Sequence, residues 1–342
     1  MSYRVGIVGS SFGGRVHAPA YSLHPLYDAV AIASPNKAAS VAAERNIPRS
    51  FSSLQAMLDE MGSEIDVVSI ASPPFQHYDD VMTALAAGKH VICEKPVGIA
   101  LAQVEEMVTA AAKAGVAAAV MFEYRYGAAA QVLKRIISSG GMPQLRAIEV
   151  TRFGTELRRE TKRPNTGWWF KKTKGGGLAN AFMPHLVDLA LWLGGDVAHA
   201  ARGFLRTANP QRTAPDGSTF SSDVADGCYA VAELHNGVAA RMTVDGTMPI
   251  DHSTVSIYAE GVRAIATGAA LTDLDVLKVG DKDEQLAPLK YAAHANVFPT
   301  VPHVMALLDD FADLLAGKPS SVPTFADGLA VQRVLNAIGY EA

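Results

Sequence analysis

With 342 residues, 49% of them hydrophobic, the chain carries enough apolar material for two cores and is read as two domains. A formal charge of −4 excludes the basic footprint of a nucleic-acid binder, and Cys93 and Cys228 lie too far apart to form a metal-binding spacing. No apolar run reaches the length of a membrane span, no signal peptide precedes the first motif, and two isolated cysteines suit a reducing compartment. The expectation is therefore a soluble, cytoplasmic protein with no membrane or nucleic-acid partner.

The first predicted elements surround the glycine-rich stretch of residues 4 to 17. An apolar strand, Val5 to Val8, runs into Gly9, then a tight turn and a helix opening near Gly13-Gly14. Such a turn aims backbone N–H groups and a positive helix end at a pyrophosphate. Gly9 and Gly14 meet the Gly-x-Gly-x-x-Gly spacing, while Ser11 stands at the second glycine and offers a hydroxyl to a phosphate oxygen. Gly9, Ser11, Phe12 and Gly14 are the cofactor candidates here.

The second strand, Ala29 to Ala33, leads into Ser34-Pro35-Asn36-Lys37. An acid about 20 residues beyond the turn selects NAD by bonding the ribose hydroxyl. None is present. Ser34 and Asn36 can instead donate to a 2′-phosphate that Lys37 neutralises, so NADP(H) is preferred and NAD(H) is the second candidate. The plain alternative is an ordinary Ser-Pro-Asn turn with an exposed lysine.

Further short apolar strands follow at Asp66–Ala71, Val91–Cys93 and Ala117–Phe122, separated by helices near Ser53–Met61, Asp79–Ala87 and Leu101–Ala114. Unalternating apolar strands between helices predict a doubly wound parallel sheet over residues 1–122. Over 123–342 the grammar changes. After a helix at Ala128–Ser138, strands are expected at Leu145–Phe153, Tyr229–Leu234, Ala239–Asp245 and Thr254–Tyr258 without helices between them, which predicts an α+β domain on a large, mostly antiparallel open sheet. Thr155 to Lys174 reads as a long loop whose basic run, Arg158 to Arg163, is a candidate for an anionic ligand or a solvated surface. Two terminal helices, Val301–Leu315 and Asp327–Ile338, lie within a stretch, 301–340, that is expected to return to the first domain.

A charged pair, Glu94-Lys95, followed by Pro96, stands at the carboxyl end of the strand at Val91–Cys93, where open α/β sheets bind ligands. The Lys95 ammonium could stabilise a developing alkoxide, or simply reach water from a strand end.

Taken with Ile65 to Pro74 plus His77, Ala87 to Pro96, Phe122 to Tyr126, and Gly175-Gly176-Gly177 leading to His185, the chain resembles the oxidoreductase family of glucose–fructose oxidoreductase, inositol dehydrogenase and MocA-type proteins. The resemblance implies an N-terminal Rossmann domain joined to an antiparallel-sheet domain, and an NAD(P)-dependent enzyme acting on CH–OH groups. It puts Lys95 at the substrate, the Lys95–Pro96 peptide in the cis form, and Glu94 near the nicotinamide ribose. Ser72, Pro73, His77, Arg125 and Trp169 join the cofactor candidates, and Asn180, Pro184, His185 and Asp188 the substrate candidates.

The family's aspartate four residues before the histidine is here Ala181. His185 remains and is the expected general base or acid beside Lys95, with Asp188 on the same helix face as a carboxylate able to orient it. A sugar or cyclic polyol substrate and a homodimer or homotetramer follow from the resemblance. The alternative function is a non-catalytic, NADP-binding, sugar-sensing regulator of the same fold, favoured by Ala181. No metal site is expected.

Overall fold

A computed structural model describes residues 2–161 and 167–340, which divide into two compact units: 1–123 with 289–329, and 124–288 with 330–342. Lys162 and Arg163 of the expected basic loop lie outside the described residues.

The first unit is built on six parallel strands, β1 (Tyr3–Val8), β2 (Tyr27–Ala33), β3 (Arg49–Phe51), β4 (Val67–Ile70), β5 (His90–Cys93) and β6 (Ala118–Val120), in the order β3-β2-β1-β4-β5-β6. Val67, Val68, Val91 and Ile92 are all fully buried, as strands covered on both faces require, and each contributes about 1.5–3 kcal/mol by burial. Helices α1 (Ala18–Leu23), α2 (Ala38–Arg45), α3 (Leu54–Met61), α4 (His77–Ala86) and α5 (Leu101–Ala114) connect the strands. Ser53 caps α3 by accepting a hydrogen bond from the Ala56 N–H.

The helix expected to open at Gly13-Gly14 begins differently. Gly13–His17 form one wide π turn that runs on into α1. The short strand β3 escaped the sequence because its three residues carry no periodicity, yet its Phe51 carbonyl accepts from the Ser34 N–H. Residues 289–329 belong to this unit for a plain reason: the Val120 N–H donates to the Pro323 carbonyl at the edge of the sheet, and the Tyr27 hydroxyl donates to the Leu308 carbonyl of helix Val301–Leu315.

The second unit carries helix α6 (Ala128–Ser138), strand β7 (Ala147–Phe153), and helices α7 (Leu178–Ala181) and α8 (Met183–Gly194). Strands β8 (Ala198–Arg206), β9 (Gln211–Thr213), β10 (Thr219–Ser221), β11 (Gly227–Leu234), β12 (Ala239–Asp245), β13 (His252–Ala259), β14 (Val262–Ala270), β15 (Asp273–Val279) and β16 (Lys282–Asp283) follow. Eight of these strands form one sheet in the order β16-β15-β14-β13-β7-β12-β11-β8, antiparallel except for the parallel pair β7–β12. α8 packs on β7, β11 and β12, and α6 on β15. The opposite face shows a cross-strand row, Phe204-Tyr229-Thr243-Thr151-Thr254-Thr267-Val276.

Strands β8, β14 and β15 were not expected from the sequence. β8 has too few buried positions to print an alternating pattern, and β14 is rich in alanine and glycine. No helix among the described residues is long and apolar enough to cross a membrane.

Candidate active site

In the first unit the glycine turn follows β1, at the point where the strand order reverses between β1 and β4. Gly9 has φ +105°, and a Cβ there would lie 2.2 Å from the Ala71 carbonyl oxygen after β4. At Gly14 a Cβ would meet Val41 of α2 at 2.7 Å. Both glycines are thus demanded by close packing, and the turn keeps the shape of a pyrophosphate cradle. Ser11 is exposed and Phe12 half-buried, at the turn itself.

Ser34 ends β2, and its hydroxyl lies 2.9 Å from that of Ser10, which ties the turn to the loop expected to read the ribose. Ser10 carried no sequence signal of its own. Asn36 and Lys37 are exposed, with Lys37 at the N-cap of α2.

The Glu94-Lys95-Pro96 corner is held by buried groups. Glu94 is 7% exposed; its N–H donates to the Ile70 carbonyl, and its Oε1 lies 2.9 Å from His17 Nε2. His17 Nδ1 in turn lies 2.8 Å from the Ser69 hydroxyl in β4. Burial opposes the Glu94 charge, but the His17 hydrogen bond and the Lys95 charge outweigh it and keep this carboxyl below its ordinary range. The Lys95–Pro96 peptide is cis.

His77, expected at the cofactor, is instead enclosed. Its Nδ1 is 2.8 Å from the Pro96 carbonyl and its Nε2 2.8 Å from the Ser72 carbonyl, while burial pushes its pKa down. The Ser72 hydroxyl donates to Asp80, and Pro73 precedes the short turn Pro74–Gln76. His17 was the residue that sequence reasoning passed over, although Ser69, a lone polar residue in an apolar strand, hinted at a buried partner.

The second unit holds the other candidates. Gly177, at φ +84°, starts α7; a Cβ there would lie 2.5 Å from Val224 Cβ, and one on Gly176 would lie 2.2 Å from the Trp169 carbonyl oxygen. The glycine triplet is therefore wound tightly onto the Trp168-Trp169 backbone. Trp169 is buried edge-on to Phe170 at 5.1 Å, whereas Trp168 is half-buried.

Asn180, expected to meet substrate, is 1% exposed and donates its amide to the Tyr340 hydroxyl. Pro184 occupies the first turn of α8 and His185 follows it. The His185 ring is 2% exposed and stacks on Tyr124, with centroids 3.9 Å apart and planes at 12°.

Arg125 and Asp188 meet each other. The guanidinium expected at the cofactor forms a two-pronged pair with Asp188, Nε to Oδ2 at 2.8 Å and Nη2 to Oδ1 at 2.5 Å, both residues being buried. A buried carboxylate draws the planar fork that matches it. Burial holds the thiols of Cys93 and Cys228 protonated by raising both pKa values.

Comparison with known proteins shows the family and the fold. Residues 3–122 match the model of the oxidoreductase family with an NAD-binding Rossmann fold, and residues 130–265 match the GFO/IDH/MocA C-terminal domain. D-glucoside 3-dehydrogenase of Escherichia coli is 26% identical over 98% of this chain and 94% of its own length. Levoglucosan dehydrogenase of Pseudarthrobacter phenanthrenivorans is 29% identical over 70% of this chain and 61% of its own. A solved levoglucosan dehydrogenase in complex with NADH and L-sorbose superposes with a TM-score of 0.86 at 24% identity, over 98% of this chain and 96% of that one. The chain therefore belongs to the GFO/IDH/MocA oxidoreductase family, as an NAD(P)-dependent enzyme acting on CH–OH groups.

Proposed function

We propose that the protein transfers hydride to or from a secondary alcohol or its carbonyl in a sugar or cyclic polyol, with NADP(H) preferred over NAD(H). The observation that carries the reading is the placement of Lys95 at the carboxyl end of β5, next to a Glu94 carboxylate anchored to the helix of the glycine turn. The nicotinamide supplies the hydride chemistry. Lys95 stabilises alkoxide character on the substrate oxygen, and His185 exchanges the hydroxyl proton. Names of the relatives, a glucoside and a levoglucosan dehydrogenase, support a sugar. The test is a panel of levoglucosan, glucosides and inositols with both cofactors in both directions.

Ala181 favours the second reading, a regulator that binds NADP and senses a sugar without turnover. NADP(H) binding with no turnover across the whole panel is its expected signature.

Cofactor choice rests on the missing carboxylate at Ser34 and the exposed Lys37 at the start of α2. Calorimetry is expected to show NADPH binding about tenfold more tightly than NADH, the scale of one charge-assisted hydrogen bond. Lys37→Ala narrows that gap by weakening NADPH alone, and equal affinities in the unaltered protein overturn the preference.

Self-association through the open sheet face is expected as well. Phe204 and Val231 are 57% and 53% exposed there, and Phe204 stacks on Tyr229 at 4.8 Å. Large apolar side chains exposed on an uncovered sheet face suit an interface. Sedimentation should give a dimer or tetramer that Val231→Arg dissociates, whereas a 36.1 kDa species alone for the unaltered chain rejects it.

A further inference from the structure

Two buried histidines touch the residues that precede and follow Lys95 in the chain. His17, fully buried, lies between the Ser69 hydroxyl and Glu94 Oε1 at 2.8 and 2.9 Å. Phe12 and Tyr21 pack edge-on against its ring, which leaves it one orientation. With Glu94 ionised, a proton on Nε2 meets the carboxylate, while Nδ1 faces a hydroxyl that can donate or accept. The other Glu94 oxygen, Oε2, accepts the Lys95 backbone N–H at 3.3 Å, so the carboxylate held by His17 also touches the lysine's own main chain.

His77, 1% exposed, has one ring nitrogen 2.8 Å from the Pro96 carbonyl and the other 2.8 Å from the Ser72 carbonyl. A neutral ring donates to one of these carbonyls and an imidazolium to both. Glu94, Lys95 and Pro96 thus have a histidine on the side chain before the lysine and a histidine on the carbonyl after it. Neither ring is exposed enough to serve a substrate directly.

We propose that His17 and His77 are positioning residues that together clamp the Glu94-Lys95-Pro96 corner and so fix where the Lys95 ammonium is presented. The clamp's catalytic meaning rests on the role proposed for Lys95; its mechanical meaning does not. A misplacement on the order of 1 Å in such a group costs up to roughly a hundredfold in rate.

The experiment compares His17→Leu, His17→Gln, His77→Leu and Lys95→Met in the intact protein. Hydrogen exchange of the peptide spanning residues 93–99 is read beside thermal unfolding and turnover of levoglucosan with NADP+. In His17→Leu and His77→Leu, exchange in that peptide should rise by about tenfold while peptides of β1 and β2 stay unchanged, because one anchoring hydrogen bond is worth about that factor. Their kcat should fall by roughly tenfold to a hundredfold with KM nearly constant. His17→Gln keeps an N–H donor for Glu94 and should recover most of the protection and turnover. Unchanged exchange in both leucine variants overturns the clamp whatever the activity. Normal turnover in Lys95→Met overturns the catalytic role of Lys95, with the exchange result still deciding whether the corner is clamped. An inactive Lys95→Met beside fully active leucine variants overturns the positioning of Lys95 by the histidines and leaves its own role standing.

Discussion

Lys95→Met is expected to lower kcat by about a hundredfold or more while NADP(H) still binds with nearly unchanged affinity, a loss of about 2.7 kcal/mol or more in the transition state. The methionine keeps the length of the side chain and removes only the ammonium, which acts when charge develops on the substrate oxygen. His185→Phe is expected to match it in size, since a phenyl ring can keep the stack on Tyr124 and yet can neither take nor give a proton. Ala181, at the end of α7, stands where the family resemblance implies an aspartate, and Ala181→Asp is expected to raise turnover. Steady-state kinetics with an active substrate, beside calorimetry for the cofactor, check all three. Normal turnover in both Lys95→Met and His185→Phe removes the assignment.

Much of the first unit is legible in the sequence because its rules are local. A parallel strand covered on both faces is a short apolar run, and the helices α5 and Val301–Leu315 appear at their expected ends. Gly9 is legible for the same reason: a tight turn needs positive φ, and only glycine supplies it without strain. The partners of buried polar side chains are not local. Nothing in the residues around His17 says that Glu94, 77 positions on, will take its Nε2, or that Arg125 will reach Asp188, 63 positions on. The edge strand β8 is hidden for another reason, since a strand with an exposed face and few buried positions loses its alternation. Cofactor choice sits between these cases: the absent carboxylate is visible, while the Ser10–Ser34 link that shapes the same loop is not.

Removing one partner of the Arg125–Asp188 pair is expected to destabilise the protein by about 3–5 kcal/mol, because the other buried charge loses its two-pronged partner. Arg125→Met leaves the Asp188 carboxylate, 2% exposed, without its two-pronged donor, and Asp188→Leu leaves the guanidinium in the same position. The double variant, Arg125→Met with Asp188→Leu, removes both charges from the same buried space and is expected to recover most of the loss, as apolar replacement of a buried pair often does. Urea denaturation of the three variants measures this directly; losses that simply add in the double variant would show that the two residues contribute independently and not as a pair. Turnover then separates two roles for Asp188. Arg125 follows Tyr124, whose ring stacks on His185, and Asp188 lies one helical turn beyond His185 on α8, so the ion pair fastens both segments that carry the stacked rings. If fastening is its whole contribution, the double variant regains turnover along with stability. A double variant that is stable but slow shows instead that the carboxylate also orients the imidazole, the role its place on the helix face suggests.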